Sequence, residues 1–323
     1  MKKSLLALAA LTAFAGAASA QSSVTLYGRV DLSVNKGIGS DVKSISNGSG
    51  SRLGLRGTED LGGGLSALFN IEHRFNADTG ADSTGGVRFW NGRSFVGLQG
   101  GFGQIIFGRE YTTSFLGTQL VADPWGWDTV AAQNGITGLG GIAKVRNDSS
   151  VTYKISAAGF SFGAQVAEAT DSIVSYPAKP VNFNVGYAAG PLNVSFGYEK
   201  TGRESTIDGD AEKMWALQAS YNFGAFKPGF FYGKGTGIQV GTAAAAGEDH
   251  TGMMFTVTAP IGAGEFRASY GTLERADTKV SKRLAAGYHY SMSKRTTLYF
   301  DVANDSEAAT SKTGYDVGIK HNF

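Results

Sequence analysis

Side chains along this chain alternate in character with a period of two, from the first extended stretch to the last residue. Val24, Leu26, Val30, Leu32 and Val34 interleave with Thr25, Tyr27, Arg29, Asp31 and Ser33. Leu192, Val194, Phe196 and Tyr198 interleave with Asn193, Ser195, Gly197 and Glu199. The terminal GYDVGIKHNF sets Tyr315, Val317, Ile319 and Phe323 against Asp316, Lys320 and Asn322. Successive side chains of a strand point to opposite faces, so the pattern describes strands whose two faces meet different media. A chain built this way is all-β, and it must close its sheet or cover its edges.

The connections between strands alternate in length. Short ones are expected at Asp60–Gly63, Gly100–Gly103, Ala157–Gly159, Gly190–Pro191, Gly224–Ala225, Pro260–Gly264 and Ser291–Lys294. Longer polar ones are expected at Asn35–Ser49, Asn76–Gly86, Tyr111–Lys144, Ala169–Pro180, Thr201–Ala211, Thr236–Glu248, Glu274–Val280 and Asn304–Lys312. These connections join sixteen strands in up-and-down order, with tight turns at one end and loops at the other. That is the pattern of a transmembrane antiparallel barrel with short periplasmic turns and long external loops. A soluble sandwich or propeller accounts for the strands less well, because no fixed-period repeat is present and aromatics gather at strand ends.

Composition agrees with this reading. No apolar run after residue 20 reaches the roughly 18 residues of a spanning helix, while half of a barrel's residues face water and dilute its hydropathy. Residues 1–20 are a different object. Lys2 and Lys3 precede the apolar Leu5–Ala18, and Ala18-Ser19-Ala20 is a cleavage pattern. They read as a secretory signal peptide, leaving residues 21–323 as the barrel. Without Lys2 and Lys3, the 29 basic residues become 27, equal to the 27 acids. A zero net charge gives no support for binding nucleic acid. There is no cysteine, so neither disulfides nor thiol chemistry contribute.

The search for reaction chemistry is negative. Gly159–Gly163 fits G-x-S-x-G, but Phe160, Phe162, Ala164 and Val166 continue a strand where the motif needs a strand-to-helix turn. GITGLGG lacks the Lys and Ser/Thr of a phosphate loop. His73, His250, His289 and His321 have no metal spacing, and Asp208–Glu212 lacks the calcium-loop pattern. No cofactor or metal is expected, and a pore is favoured over a barrel enzyme or a plugged adhesion barrel. Sixteen strands are wide enough to leave an aqueous channel.

QSSVTLYGRVD, SRLGLRGTEDLGGGLSALFNIE, RSFVGLQGGFGQIIFGRE, VRNDSSVTYK and the final HNF together resemble the general porins of beta-proteobacteria. The resemblance spans essentially all of residues 21–323. It implies an outer-membrane diffusion channel for ions and small hydrophilic solutes, assembled as a homotrimer among lipid and lipopolysaccharide. It also implies a third loop folded inward to narrow each pore, and a terminal aromatic, Phe323, read by the outer-membrane assembly machinery. DPWGW at Asp123–Trp127 departs from the third-loop motif common in such proteins.

Strand parity turns Arg52, Arg56, Glu72, Arg74, Arg93, Arg146, Asp148 and Lys154 inward. Parity alone allows the arginines to be solvated lumen charges or loop anchors. The resemblance singles out Arg52, Arg93 and Arg146 as a basic ladder at the constriction, with Glu72 and a third-loop acid, Asp123, opposite or beside them. Charged rings set selectivity in pores, so weak to moderate anion preference is expected. Arg29 and Asp31 are expected to form a local wall pair.

Overall fold

The computed structural model describes residues 23–170, 175–238 and 247–323. The segment read as a signal peptide, residues 1–20, lies outside them. The barrel strands begin with β1 (Ser23–Lys36), β2 (Lys43–Ser46, continued by Ser51–Gly62), β3 (Leu65–Phe75) and β4 (Ser94–Gly100). β5 (Gly103–Tyr111), β6 (Arg146–Ala157), β7 (Phe160–Ala167), β8 (Val181–Ala189), β9 (Leu192–Glu204) and β10 (Ala211–Tyr221) follow. The last are β11 (Lys227–Ile238), β12 (Gly247–Ile261), β13 (Gly264–Arg275), β14 (Thr278–Ser291), β15 (Thr296–Asp305) and β16 (Thr313–Asn322). Each strand pairs antiparallel with the next, and β16 returns to β1 through Val30↔His321, Leu32↔Ile319 and Val34↔Val317. The sheet is therefore a closed barrel of sixteen strands.

Closure runs to the last residue. The Gly28 amide donates to the Phe323 carbonyl at 2.9 Å, and the Phe323 amide donates back at 3.1 Å. A Cβ at Gly28 would lie 2.3 Å from Phe323 Cζ, so the missing side chain is the seat for the terminal ring. In hydrocarbon an unpaired edge has no water to turn to, which makes complete closure obligatory. Val24, Leu26, Val96, Phe107, Val151, Phe255 and Val317 stand exposed on the outer face, as the alternation requires.

All seven short turns fall where expected, and the long-loop end differs in three places. The loop expected at Asn76–Gly86 runs on to Arg93, with β4 starting only at Ser94. Glu274–Val280, expected to be a loop, is continuous strand closed by a two-residue turn. Ala276 and Asp277 both take positive φ, 44° and 62°, the geometry that matches hairpin twist. An Ala-Asp pair is a weak hairpin signal, and the flanking charges gave the stretch a loop-like composition. Asn35–Ser49 is also shorter as a loop, because Lys43–Ser46 pairs with Ser33–Lys36 before an irregular step at 47–50.

The interior is divided. The third long connection, 112–145, carries the short helical segments Phe115–Gln119, Leu120–Ala122 and Asn134–Thr137, and it lies along the inner wall of β8–β16. Ile136, Leu139 and Ile142 pack on Met214, Phe231, Met254 and Leu273, which point inward. Cβ atoms at Gly252 and Gly271 would meet Leu139 and Ile136 at 2.7 and 2.6 Å, so glycine makes the room for this contact. Burial of each such apolar side chain stabilises the docked loop by about 1.5–3 kcal/mol. Polar fasteners run alongside. Ser195 Oγ donates to the Gly117 carbonyl at 2.7 Å, Gln133 Nε2 to Ser269 Oγ at 2.7 Å, and Trp125 Nε1 to Asp301 at 2.7 Å. The Val130 amide donates to Asp316 at 3.0 Å.

Candidate pore constriction

With the loop fastened to β8–β16, the opposite wall, from β1 to β6, stays open to the lumen. Arg52 on β2 and Arg74 on β3 are direct cross-strand partners. Like charges in register repel, and here Glu72 compensates. Its carboxylate accepts from Arg74 Nε at 2.9 Å and from the Tyr27 hydroxyl at 3.2 Å. Glu72 thus stands beside the arginines on the same wall.

Tyr111, the last residue of β5, is the hub. Its hydroxyl accepts from Arg74 at 2.5 Å and from Arg146, its cross-strand partner. Its ring carries the Arg146 guanidinium at 4.0 Å and that of Arg93 at 4.9 Å. Stacking on an aromatic face holds a guanidinium in place without neutralising it. The neighbouring Glu110 is buried and does neutralise, reaching Arg93 at 3.1 Å and Lys154 at 3.7 Å. Arg56 lies over the Tyr27 ring at 5.3 Å. A cavity of about 310 Å³ opens here toward the short-turn end, lined by Arg56, Arg93 and Lys154. A second, of about 220 Å³, lies toward the long-loop end among Arg88, Arg109, Lys144 and Arg146. Asp148 spans Arg88 and Arg109.

The loop contributes one acid to this wall, and it is not Asp123. Asp123 is buried, and its two oxygens accept the amides of Trp125, Trp127 and Gln133 at 3.0–3.1 Å. Burial pushes its carboxyl up to about 6, against the opposing pull of those three amides. It ties the DPWGW turn together and offers little charge to the lumen. Asp128 takes the place expected for it, pairing with Arg29 at 3.2 Å. Burial raises the Asp128 carboxyl above the usual carboxylate range, opposed by Arg29 and Arg52. Arg29 therefore does not pair with Asp31. Asp31 instead accepts from Ser49 Oγ and the Tyr299 hydroxyl, both at 2.5 Å.

The geometry brings together Arg93 and Arg146 directly, through Tyr111, and Arg52 and Glu72 through Arg74. Sequence reasoning missed Tyr111, Glu110 and Asp128. The GREY stretch that closes β5 just before the loop was the available signal, because its glycine, Gly108 at φ 128°, opens a register shift that changes which side chains face inward. Around the passage, Arg29, Arg52, Arg56, Arg74, Arg93, Arg146 and Lys154 face Glu72, Glu110 and Asp128, an excess of positive charge.

Comparison with known proteins places this architecture. The family description "Gram-negative porin" matches residues 7–310. An outer membrane porin protein of Bordetella pertussis is 30% identical over 398 aligned residues, and outer membrane porin protein 32 of Delftia acidovorans is 33% identical over 372. Both alignments cover 100% of each chain. Among solved structures, the anion-selective porin from Comamonas acidovorans superposes with a TM-score of 0.78 at 28% identity, covering 94% of this chain and 100% of that one. A profile match along nearly the whole length, on a closed barrel with its third loop laid inside, makes this chain a member of the Gram-negative porins, the diffusion channels of the outer membrane.

Proposed function

We propose that this porin is a passive pore for small hydrophilic solutes with a weak to moderate preference for anions, and that Arg52, Arg93 and Arg146, joined by Arg74, are its selectivity wall. The observation that carries the reading is the basic excess gathered around Tyr111, in a chain whose residues 21–323 have no net charge. Bulk charge cannot choose between ions, so local placement must. The likeness to a porin named anion-selective supports it. At an effective dielectric of about 20, a unit charge about 5 Å from an ion interacts by about 3 kcal/mol, and a net bias of about 1.4 kcal/mol gives a tenfold preference.

Reversal potentials across a planar bilayer in a salt gradient are the test. Wild type should favour chloride over potassium, and Arg93→Ala or Arg146→Ala should lower the ratio. A potassium preference, or an unchanged ratio in both variants, overturns the wall assignment. The same reading takes the chain to be exported by residues 1–20 and assembled as a homotrimer. It also has Phe323, seated against Gly28, recognised by the assembly machinery. The small outward position Ala67 suits close subunit contact, whereas Gly28 is covered by the Phe323 ring, and family membership supports the trimer. Lipopolysaccharide is its expected surround in the outer leaflet.

A further inference from the structure

On the outside of the barrel, three lysines stand where the hydrocarbon band ends. Lys200 near the end of β9 and Lys213 near the start of β10 are direct cross-strand partners. Lys234, near the end of β11, lies across from Trp215, two residues along β10 from Lys213. All three point outward. Glu199, Glu212, Met214 and Gly233, their neighbours of opposite parity, are buried inside. Just below them runs an aromatic row, with Tyr198 paired to Trp215 in register and the Trp215 and Tyr232 rings 5.7 Å apart. Tyr and Trp favour the membrane–water boundary, so this row marks the edge of the acyl region at the long-loop, external end.

The lysines are undercompensated. Glu204 reaches Lys200 at 3.6 Å, and no acid among the described residues pairs with Lys213 or Lys234. Two like charges placed directly opposite in a ladder destabilise it, and a third on the next strand adds to that cost. A phosphate held between Lys213 and Lys234 would relieve that repulsion. Immediately below, Val151, Tyr153, Phe162, Val181, Phe183 and Tyr198 line an apolar outward groove of about 720 Å³. Val181 is the cross-strand partner of Lys200, so the groove's upper edge meets the cationic cluster.

From this juxtaposition we infer a lipid site on the outer face of β6–β11, its groove holding acyl chains and Lys200, Lys213 and Lys234 binding the phosphate of a phosphorylated glycolipid of the outer leaflet. It rests on the membrane placement given above and deepens it by locating the lipid contact, and it is independent of ion selectivity. The probes are bisphosphorylated lipid A, dephosphorylated lipid A and phosphatidylethanolamine, each added to the full-length protein in neutral detergent. Retention is read by native mass spectrometry. Wild type should retain bisphosphorylated lipid A best. Lys200→Gln/Lys213→Gln/Lys234→Gln should weaken retention by about tenfold or more. Lys294→Gln/Arg295→Gln, on the short-turn rim, should not weaken it. Conductance and reversal potential of the triple variant should match wild type, which also shows that it folds. Equal retention of the dephosphorylated lipid, a triple variant within about twofold of wild type, or an equal loss in the rim control overturns the site.

Discussion

Asp128→Asn removes the one loop acid that faces the charged wall and leaves Arg29 without its partner at 3.2 Å. For an ion passing about 7 Å away through a wet lumen of effective dielectric about 40, one unit charge contributes about 1.2 kcal/mol. Screening over a Debye length of about 8 Å reduces this to about 0.5 kcal/mol. The change favours anions and disfavours cations by that amount each, so the anion-to-cation permeability ratio should rise about two- to fivefold. Reversal potentials at fixed ionic strength measure it. Asp123→Asn is the paired control. An amide has one acceptor oxygen where the carboxylate uses two against three backbone amides, and losing such bonds costs about 1–3 kcal/mol. That variant should loosen the loop, with more closing events in single-channel records, and shift the ratio less. Acidification adds a third reading. Burial raises the Asp128 carboxyl, against the pull of Arg29 and Arg52, so on acidification it takes up its proton earlier than an unperturbed aspartate. Loss of that negative charge should raise the anion preference of wild type as pH falls, and Asp128→Asn should lack this increment. A larger shift in Asp123→Asn than in Asp128→Asn, or a fall in the ratio for Asp128→Asn, refutes the reasoning.

Gly28→Val would force a side chain into the Phe323 ring at 2.3 Å and against the Arg52 carbonyl at 2.7 Å. Overpacking of this kind costs about 1–3 kcal/mol, so the folded, heat-modifiable fraction in outer membranes should fall, and equal folding would dismiss the seat. Intact-mass measurement of membrane material should place the first residue at Gln21, and retention of residues 1–20 would refute the export reading. Unheated protein in detergent electrophoresis should migrate as a trimer that heat converts to monomer, and a monomer by both electrophoresis and light scattering would count against the assembly.

The barrel was legible in the sequence because each strand separates oil from water along its whole length. Period two then writes the same message in every strand, and a slip by one residue would reverse it. The loop's course was not legible. It depends on places where the alternation fails, such as GFFYG at 229–233 and GMMF at 252–255, where Phe231 and Met254 face inward beside outward Phe230, Tyr232, Met253 and Phe255. Apolar residues on both faces are the mark of a wall covered from inside as well, and that was the available signal. The arginines were found by parity. Tyr111 escaped because a register shift between Gly108 and Glu110 breaks the alternation before β5 ends. Asp123 is the third-loop acid that the family resemblance singles out, and Asp128, five residues on, carries no separate signal in the sequence. What separates them is the three backbone amides that enclose one carboxylate, an arrangement that exists only once the turn is folded.

The divided interior has a consequence for how the channel answers its medium. Its bore is fixed by the loop's contacts on β8–β16, chiefly apolar packing and hydrogen bonds that salt hardly weakens. On the proposed reading, most of the electric field across that bore arises from the facing wall, with Asp128 as the loop's contribution, and these charges are screened within about 3 Å at 1 M salt. If the selectivity wall is as proposed, aperture and field are then largely separate properties held by different sectors of one tube. Concentrated salt should erase the discrimination between ions while the largest solute admitted stays the same. A substitution under the loop, such as one at Gly252, should do the reverse.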